Sequence, residues 1–140
     1  MSRQRVLLDT GPLVAFLSED DQHHERCAHE FAVLRPPLWT CWPVLTEAQW
    51  LLRRNTHAVE GIFRAFEVGL LSLLPLEADA LPWIDAFLRR YRRLGAQLAD
   101  AALVYLAERD NIPTVFTLDR RDFAVYRYGK NRSLTILPEP

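Results

Sequence analysis

The chain has 140 residues, 49% of them hydrophobic, enough for one ordinary domain with a buried core and too apolar for a disordered segment. A formal net charge of -1 excludes the strongly basic balance of a nucleic-acid coat protein. It does not exclude a nuclease, whose acidic site offsets basic residues elsewhere.

Val6-Leu7-Leu8 is a short apolar run ending in Asp9-Thr10-Gly11-Pro12, the pattern of a buried strand followed by a tight turn. Pro12 suits a first helical position, and a short helix continues through Leu17. Asp20 and Asp21 open a second helix that runs to about Leu34 and stops at Pro36-Pro37. Leu38 to Cys41 is the next strand. Pro43 starts a helix to about Arg54, and Asn55-Thr56 caps another from about His57 to Val68, which Gly69 ends. Leu70 to Leu74 is a strand. Glu77 to about Arg93 is helical, with Leu81, Ile84, Phe87, Leu88 and Tyr91 at helical spacing. Gly95 breaks the pattern before a strongly apolar helix from Leu98 to Arg109. Pro113 to Leu118 is a β-branched strand, Phe123 to Tyr126 one helical turn, and Leu134 to Leu137 the last strand. Strands alternate with helices, and several strands are continuously apolar. That order predicts a single α/β domain over residues 1–140, a three-layer α/β/α sandwich with a mainly parallel central sheet.

The two cysteines, Cys27 and Cys41, form no CxxC pair and are expected to be reduced thiols in a cytoplasmic protein. His23 and Cys27 make at most half a zinc site, with no further ligands in register. Arg3 and Arg5 precede an apolar run too short for a signal peptide, and no window approaches the ~20 apolar residues of a membrane span.

Four carboxylates stand out. Asp9 and Asp119 each follow directly on an apolar strand, so a parallel sheet would bring both to its carboxyl edge, where open α/β folds place ligands. Singly, each has the ordinary explanation of a turn or helix cap. Glu47 has Val44, Trp50 and Leu51 as helical neighbours, which puts it on or beside a face expected to be buried. A salt bridge to Arg53 or Arg54 competes with any metal role there. Asp100 has Gln97, Leu103, Val104 and Ala107 at helical spacing and no basic residue on its face. An unpartnered carboxylate aimed at a core costs about 1–3 kcal/mol even on mild scales. If the four converge, their mutual repulsion raises their pKa values, and a hard divalent cation relieves it. Mg2+ or Mn2+ prefers such oxygen ligands and acts on phosphodiesters by activating a water.

The same residues resemble the motifs of PIN-domain ribonucleases. Leu7-Leu8-Asp9-Thr10-Gly11-Pro12-Leu13 is similar to the family's opening motif. Leu45-Thr46-Glu47-Ala48 looks like its second acidic motif, and Leu98-Ala99-Asp100-Ala101-Ala102 like its third. Phe116-Thr117-Leu118-Asp119-Arg120-Arg121-Asp122-Phe123 looks like the fourth. Order, spacing and length resemble the small toxins of VapBC toxin–antitoxin modules. The resemblance implies an endoribonuclease dependent on Mg2+ or Mn2+, a homodimer, and a cognate antitoxin partner. It implies Asp9, Glu47, Asp100 and Asp119 as catalytic metal ligands and Thr10 and Thr117 as supporting hydroxyls. Asp122 matches a more variable acidic position. Gln97-Leu98 before Asp100 departs from the small or polar residues common in relatives.

Basic and aromatic residues have two readings each. Arg89, Arg90, Arg92 and Arg93 form a run at a helix end, which suits either a solvated helix C-terminus or contact with RNA phosphates. Arg120 and Arg121 follow Asp119 and are RNA-contact candidates, with Arg89 and Arg93. Trp39, Trp42, Trp50 and Trp83 suit packing or base stacking. A PIN-like module that binds RNA or protein without cutting is the alternative function. A haloacid-dehalogenase-like phosphatase would want an aspartate where Gly11 stands. A receiver domain would want a lysine after a late strand, where Asp119-Arg120-Arg121 stands instead.

Overall fold

The computed structural model describes residues 4–140; Arg3 and the first residues of the expected domain lie outside the described residues. Five strands form one sheet: β1 (Leu7–Leu8), β2 (Leu38–Thr40), β3 (Leu71–Leu73), β4 (Thr114–Phe116) and β5 (Thr135–Leu137). Their order is β3-β2-β1-β4-β5, and every pairing is parallel. The expected mainly parallel sheet is therefore parallel throughout. Parallel strands need helical crossovers, and the helices cover the sheet in the α/β/α arrangement.

Chain order places the site. From central β1 the chain steps outward to β2 and β3, then returns to the other side of β1 for β4 and β5. The strand order thus reverses between β1 and β4. A crevice opens at such a switch point, outside the carboxyl ends of the two strands. Leu8 pairs with Phe116, so the residues after these strands emerge side by side.

Helix α1 (Thr10–Leu17) starts two residues earlier than Pro12 suggests. The first helical amides have no partner within the helix, so proline is tolerated at the third position as well. Helix α2 (His24–Val33) starts later than Asp20, because the Asp21 carboxylate accepts from the His23 amide at 2.8 Å and holds the chain in a turn. Helix α3 spans Trp42–Leu51. Helix α4 (Thr56–Glu67) has the expected cap, Asn55 accepting from the Ala58 amide at 3.1 Å. The long helix expected from Glu77 to Arg93 is divided. A 3-10 turn (Ala78–Ala80) leads into α5 (Leu81–Arg90), and a second 3-10 turn (Arg92–Leu94) ends at Gly95, whose φ of +73° suits glycine.

Helix α6 (Leu98–Arg109) is the most deeply buried, with Ala101, Ala102, Leu103, Val104 and Leu106 inaccessible. Its alanines let it sit close to its neighbours α3 and α5. Helix α7 (Arg120–Val125) begins three residues before the expected turn at Phe123, since the Asp119 carboxylate caps it by accepting from the Asp122 amide at 3.2 Å. Phe87, Tyr91, Phe123 and Tyr126 form an aromatic cluster between α5 and α7. Cys27 and Cys41 are free and buried. Among the described residues no helix is long and apolar enough to cross a membrane.

Candidate active site

The ends of β1 and β4 are stitched together by one threonine. The Asp9 amide donates to the Phe116 carbonyl at 3.0 Å, continuing the strand pairing by one residue. The Thr117 hydroxyl donates to Asp9 Oδ2 at 2.7 Å and accepts from the Asp119 amide at 3.0 Å. It therefore fixes the carboxylate after one strand and the backbone that carries the carboxylate after the other. Helices α3 and α6 pack beside this edge and bring Glu47 and Asp100. Asp9, Glu47, Asp100, Asp119 and Asp122 all line one cleft of about 510 Å³, with Thr10, Gly11, Gly95 and Gln97 among its walls. Four elements far apart in sequence thus deliver five acids to one opening.

Burial decides the electrostatics. It pushes the Asp9 carboxyl up to about 7; the Thr117 bond and the Thr10 amide oppose the rise, and the Asp100 and Glu47 charges add to it. The Asp100 carboxyl is raised by burial too, with the bonds from Tyr126 and the Gln97 amide opposing. Asp122 is raised by desolvation and then by Asp119, while Arg121 lowers it. Each of these acids is easier to ionise once a cation stands in the cleft.

Two expectations need correction, the partnerless setting of Asp100 and the buried face of Glu47. Asp100 has partners after all: its Oδ2 accepts from the Tyr126 hydroxyl at 2.8 Å and from the Gln97 amide at 3.4 Å. The second bond completes a capping box at the start of α6, so Asp100 is half-buried at a helix end instead of facing the core. Glu47 is half-buried as well, and it forms no ion pair with Arg53 or Arg54 among the described residues. The Arg53 guanidinium lies 3.9 Å over the Trp50 ring instead. Trp50 and Leu51, the neighbours expected to be buried, are 60% and 57% exposed.

The arginine candidates divide. Arg120 turns away from the cleft and donates to the carbonyls of Ile136 and Pro138 at 3.0 and 2.7 Å, a clamp on the end of β5, so its expected RNA contact is not supported by its position. Arg89 pairs with Asp85 along α5 at 3.2 Å. Arg121 and Arg93 are exposed. Arg93 lies in the 3-10 turn directly before Gly95 and Gln97, both of which line the cleft. Trp83 is committed to Glu108, donating to it at 2.7 Å.

Two features of the donor set bear on a divalent cation. Among the described residues, no three His, Cys, Asp or Glu side chains are gathered tightly enough to make a ready-made ion cage. The four acids meet in one cleft but not in one cage. Magnesium suits such an arrangement, since it keeps several waters and is held through one or two carboxylates plus substrate phosphate. The second observation is Thr10 Oγ1, which is buried at the cleft wall without a hydrogen-bond partner among the described residues. Buried polar atoms rarely stay orphaned, and a hydrated ion would supply the missing partner. The acids of the cleft and the Thr10 hydroxyl suit a hydrated ion held through one or two carboxylates, not a bare ion in a closed cage. Tyr126 and Gln97 were not anticipated as parts of the site.

The PIN-domain profile matches residues 6–128. Ribonuclease VapC26 of Mycobacterium tuberculosis is 25% identical over 135 residues, covering 95% of this chain and 100% of that protein. The crystal structure of VapC20 of Mycobacterium tuberculosis, a sarcin–ricin loop cleaving toxin, superposes with a TM-score of 0.73 at 21% identity, covering 83% of this chain and 91% of that one. A toxin–antitoxin complex from Klebsiella pneumoniae has a chain that superposes with a TM-score of 0.65 at 17% identity, covering 86% and 91%.

Proposed function

The chain belongs to the PIN-domain family, and from that premise we propose that it is a metal-dependent endoribonuclease, the toxin of a type II toxin–antitoxin module. The observation that carries this reading is the delivery of Asp9, Glu47, Asp100 and Asp119 to one cleft at the sheet's switch point, with Asp9 buried. The match to a ribonuclease over the whole of its length supports RNA as substrate. The likeness to a chain from a toxin–antitoxin complex supports an antitoxin partner. The module would act in the cytoplasm, where its RNA is.

Asp9, Glu47, Asp100 and Asp119 would hold Mg2+ or Mn2+. When bound, the ion lowers the pKa of a water and neutralises charge at the phosphate. The chain's own residues do the rest. Thr117 keeps the Asp9 oxygen and the Asp119 backbone in fixed relation, so the opposite walls of the cleft do not drift apart. Asp9 gives up its proton when an ion binds, since only a carboxylate ligates. Glu47, which receives no hydrogen bond among the described residues, accepts a proton from the attacking water. The water oxygen bonds to phosphorus, the bond to one ribose oxygen breaks, and that oxygen takes a proton from solvent, leaving a phosphate monoester and a free ribose hydroxyl. Arg121 and Arg93, exposed and within two residues of cleft-lining Asp119, Asp122 and Gly95, would contact flanking phosphates and hold the strand without reading sequence.

A PIN-like module that binds without cutting is the rival, and what favours it is the absence of a closed cage among the described residues. Total RNA incubated with the purified chain, with Mn2+ or with EDTA, separates the two. Cleavage that EDTA abolishes is expected. Asp100→Asn should remove cleavage at least 100-fold while leaving the circular dichroism spectrum and melting temperature near those of the parent, because an amide still accepts from Gln97 and Tyr126. Undiminished cleavage by that variant overturns the assignment.

A further inference from the structure

Each acid of the cleft that receives a side-chain hydroxyl receives it on one oxygen only. Thr117 occupies Oδ2 of Asp9, and Tyr126 occupies Oδ2 of Asp100. The Gln97 amide reaches the same Oδ2 of Asp100, so both of its protein donors converge on one atom. Oδ1 of Asp100 takes no protein donor among the described residues and lies on an acid that lines the cleft. A carboxylate held in this way cannot rotate without losing two hydrogen bonds. It therefore presents one defined oxygen to whatever enters.

Tyr126 is itself held firmly. It is fully buried, and its ring makes edge-on contacts with Phe87 at 4.9 Å, Tyr91 at 5.0 Å and Phe123 at 5.1 Å. Those rings come from α5, the turn after it, and α7. The hydroxyl is thus placed by packing from three directions, and Tyr91 adds a second tie by accepting from the Arg127 amide at 2.9 Å, next in sequence. A phenylalanine would fill the same space. Packing therefore explains the ring but leaves the hydroxyl without a structural purpose other than its bond to Asp100.

We propose that Tyr126 is a positioning residue: its hydroxyl locks one oxygen of Asp100 so that the other faces the incoming metal ion. The inference rests on Asp100 being a metal ligand. Hydrogen bonds behind ligating groups commonly set affinity or activity within about 10–100-fold when removed.

The test is Tyr126→Phe in the full chain, with Mn2+ binding followed by titration calorimetry and RNA cleavage followed separately for kcat and KM. The expected result is Mn2+ affinity and kcat each down about 10–100-fold, with KM for RNA unchanged. The metal-free melting temperature should stay within a few degrees of the parent's, while the rise on adding Mn2+ shrinks. In an Asp100→Asn background, Tyr126→Phe should change Mn2+ binding no further, since a residue acting through Asp100 has nothing left to act on. Parental Mn2+ affinity and kcat in Tyr126→Phe would overturn the inference while leaving the metal site standing. A metal-free melting temperature that falls, with the Mn2+-induced rise intact, would assign the hydroxyl to stability and also overturn it. A parent chain that binds no Mn2+ would remove both the inference and the reading beneath it.

Discussion

Burial holds the Asp9 carboxyl at about 7, against about 3.9 in an unfolded chain. A folded-state pKa above the unfolded one means that the fold binds this proton more tightly. The metal-free protein therefore keeps the benefit below about pH 3.9, loses it progressively as pH rises, and has lost all of it above about 7. The full loss is about 4 kcal/mol at about 1.4 kcal/mol per pH unit, an upper bound for a group with other charges nearby. Asp9→Asn removes the charge and keeps an oxygen that accepts from Thr117. In EDTA at pH 8 it should be more stable than the parent by about 1–4 kcal/mol, and the gap should close toward pH 4. Urea unfolding at the two pH values measures this, and a variant less stable than the parent at pH 8 would count against a strained, buried acid. The acids at the strand ends were legible only together, because a parallel sheet brings two carboxylates that follow apolar strands to one edge, while each alone reads as a cap. Tyr126 was not, since it is 26 residues from Asp100 and shares no helix with it. Asp100 was read as partnerless for the same reason: neighbours one turn away on a helix say nothing about what another element brings.

Periodicity and punctuation located every strand and the existence of most helices. Boundaries moved where a side chain bonded locally, as at Asp21 and Asp119, because such bonds compete with helical amides at the scale of two or three residues. The division of the helix after Glu77 was also hidden, since its apolar spacing continues through both 3-10 turns while only Gly95 marks the end. That division matters for the proposed RNA path. It sets Arg92 and Arg93 on a turn leading directly into the cleft wall at Gly95 and Gln97, and leaves Arg89 on α5 paired with Asp85. In the uncleaving Asp100→Asn background, Arg93→Ala and Arg121→Ala should each weaken RNA binding for all sequences alike. Each should also flatten the dependence of log affinity on log salt by about 0.7, the share of one single-strand phosphate. Arg120→Ala should leave that slope alone and instead cost about 1–3 kcal/mol of stability, by stranding the carbonyls of Ile136 and Pro138. Fluorescence anisotropy over a salt series, with melting curves beside it, reads both. An unchanged slope in Arg93→Ala would remove the turn from the RNA path.

At the scale of the whole molecule, one face is too apolar for water. Trp42 and Trp50 are each 60% exposed, Leu51 is 57% and Leu98 is 53%. Trp42, Trp50 and Leu98 line a groove that shares Glu47 and Gln97 with the carboxylate cleft, and Leu51 lines the cleft itself. At that exposure each indole presents on the order of 150 Å², so the two leucines bring the patch to about 500 Å². A patch of that size is at the upper end of what monomers leave exposed and is often functional. Doubled across a two-fold axis it gives about 1,000 Å², the lower bound for a specific interface. The homodimer that the resemblance implies would cover this face with a second copy of the chain. An isologous contact there would set two carboxylate clefts along one continuous groove, which suits a strand of RNA longer than either cleft alone. In such a contact each substitution is felt twice. Light scattering behind gel filtration should give the parent a mass twice the 16.2 kDa of the chain. Trp50→Glu or Leu98→Glu should give the single mass, with an unaltered circular dichroism spectrum because both side chains are exposed on the monomer. The Arg53 guanidinium against the Trp50 ring makes the first variant the milder one, since the glutamate gains a cationic neighbour. Leu98→Glu lies at the start of α6, where a negative charge favours the helix, so its loss of dimer cannot be blamed on unfolding. A parent that runs as a monomer at tens of micromolar, or a Leu98→Glu variant that stays dimeric, would overturn a dimer through this face and leave the face to the proposed antitoxin instead.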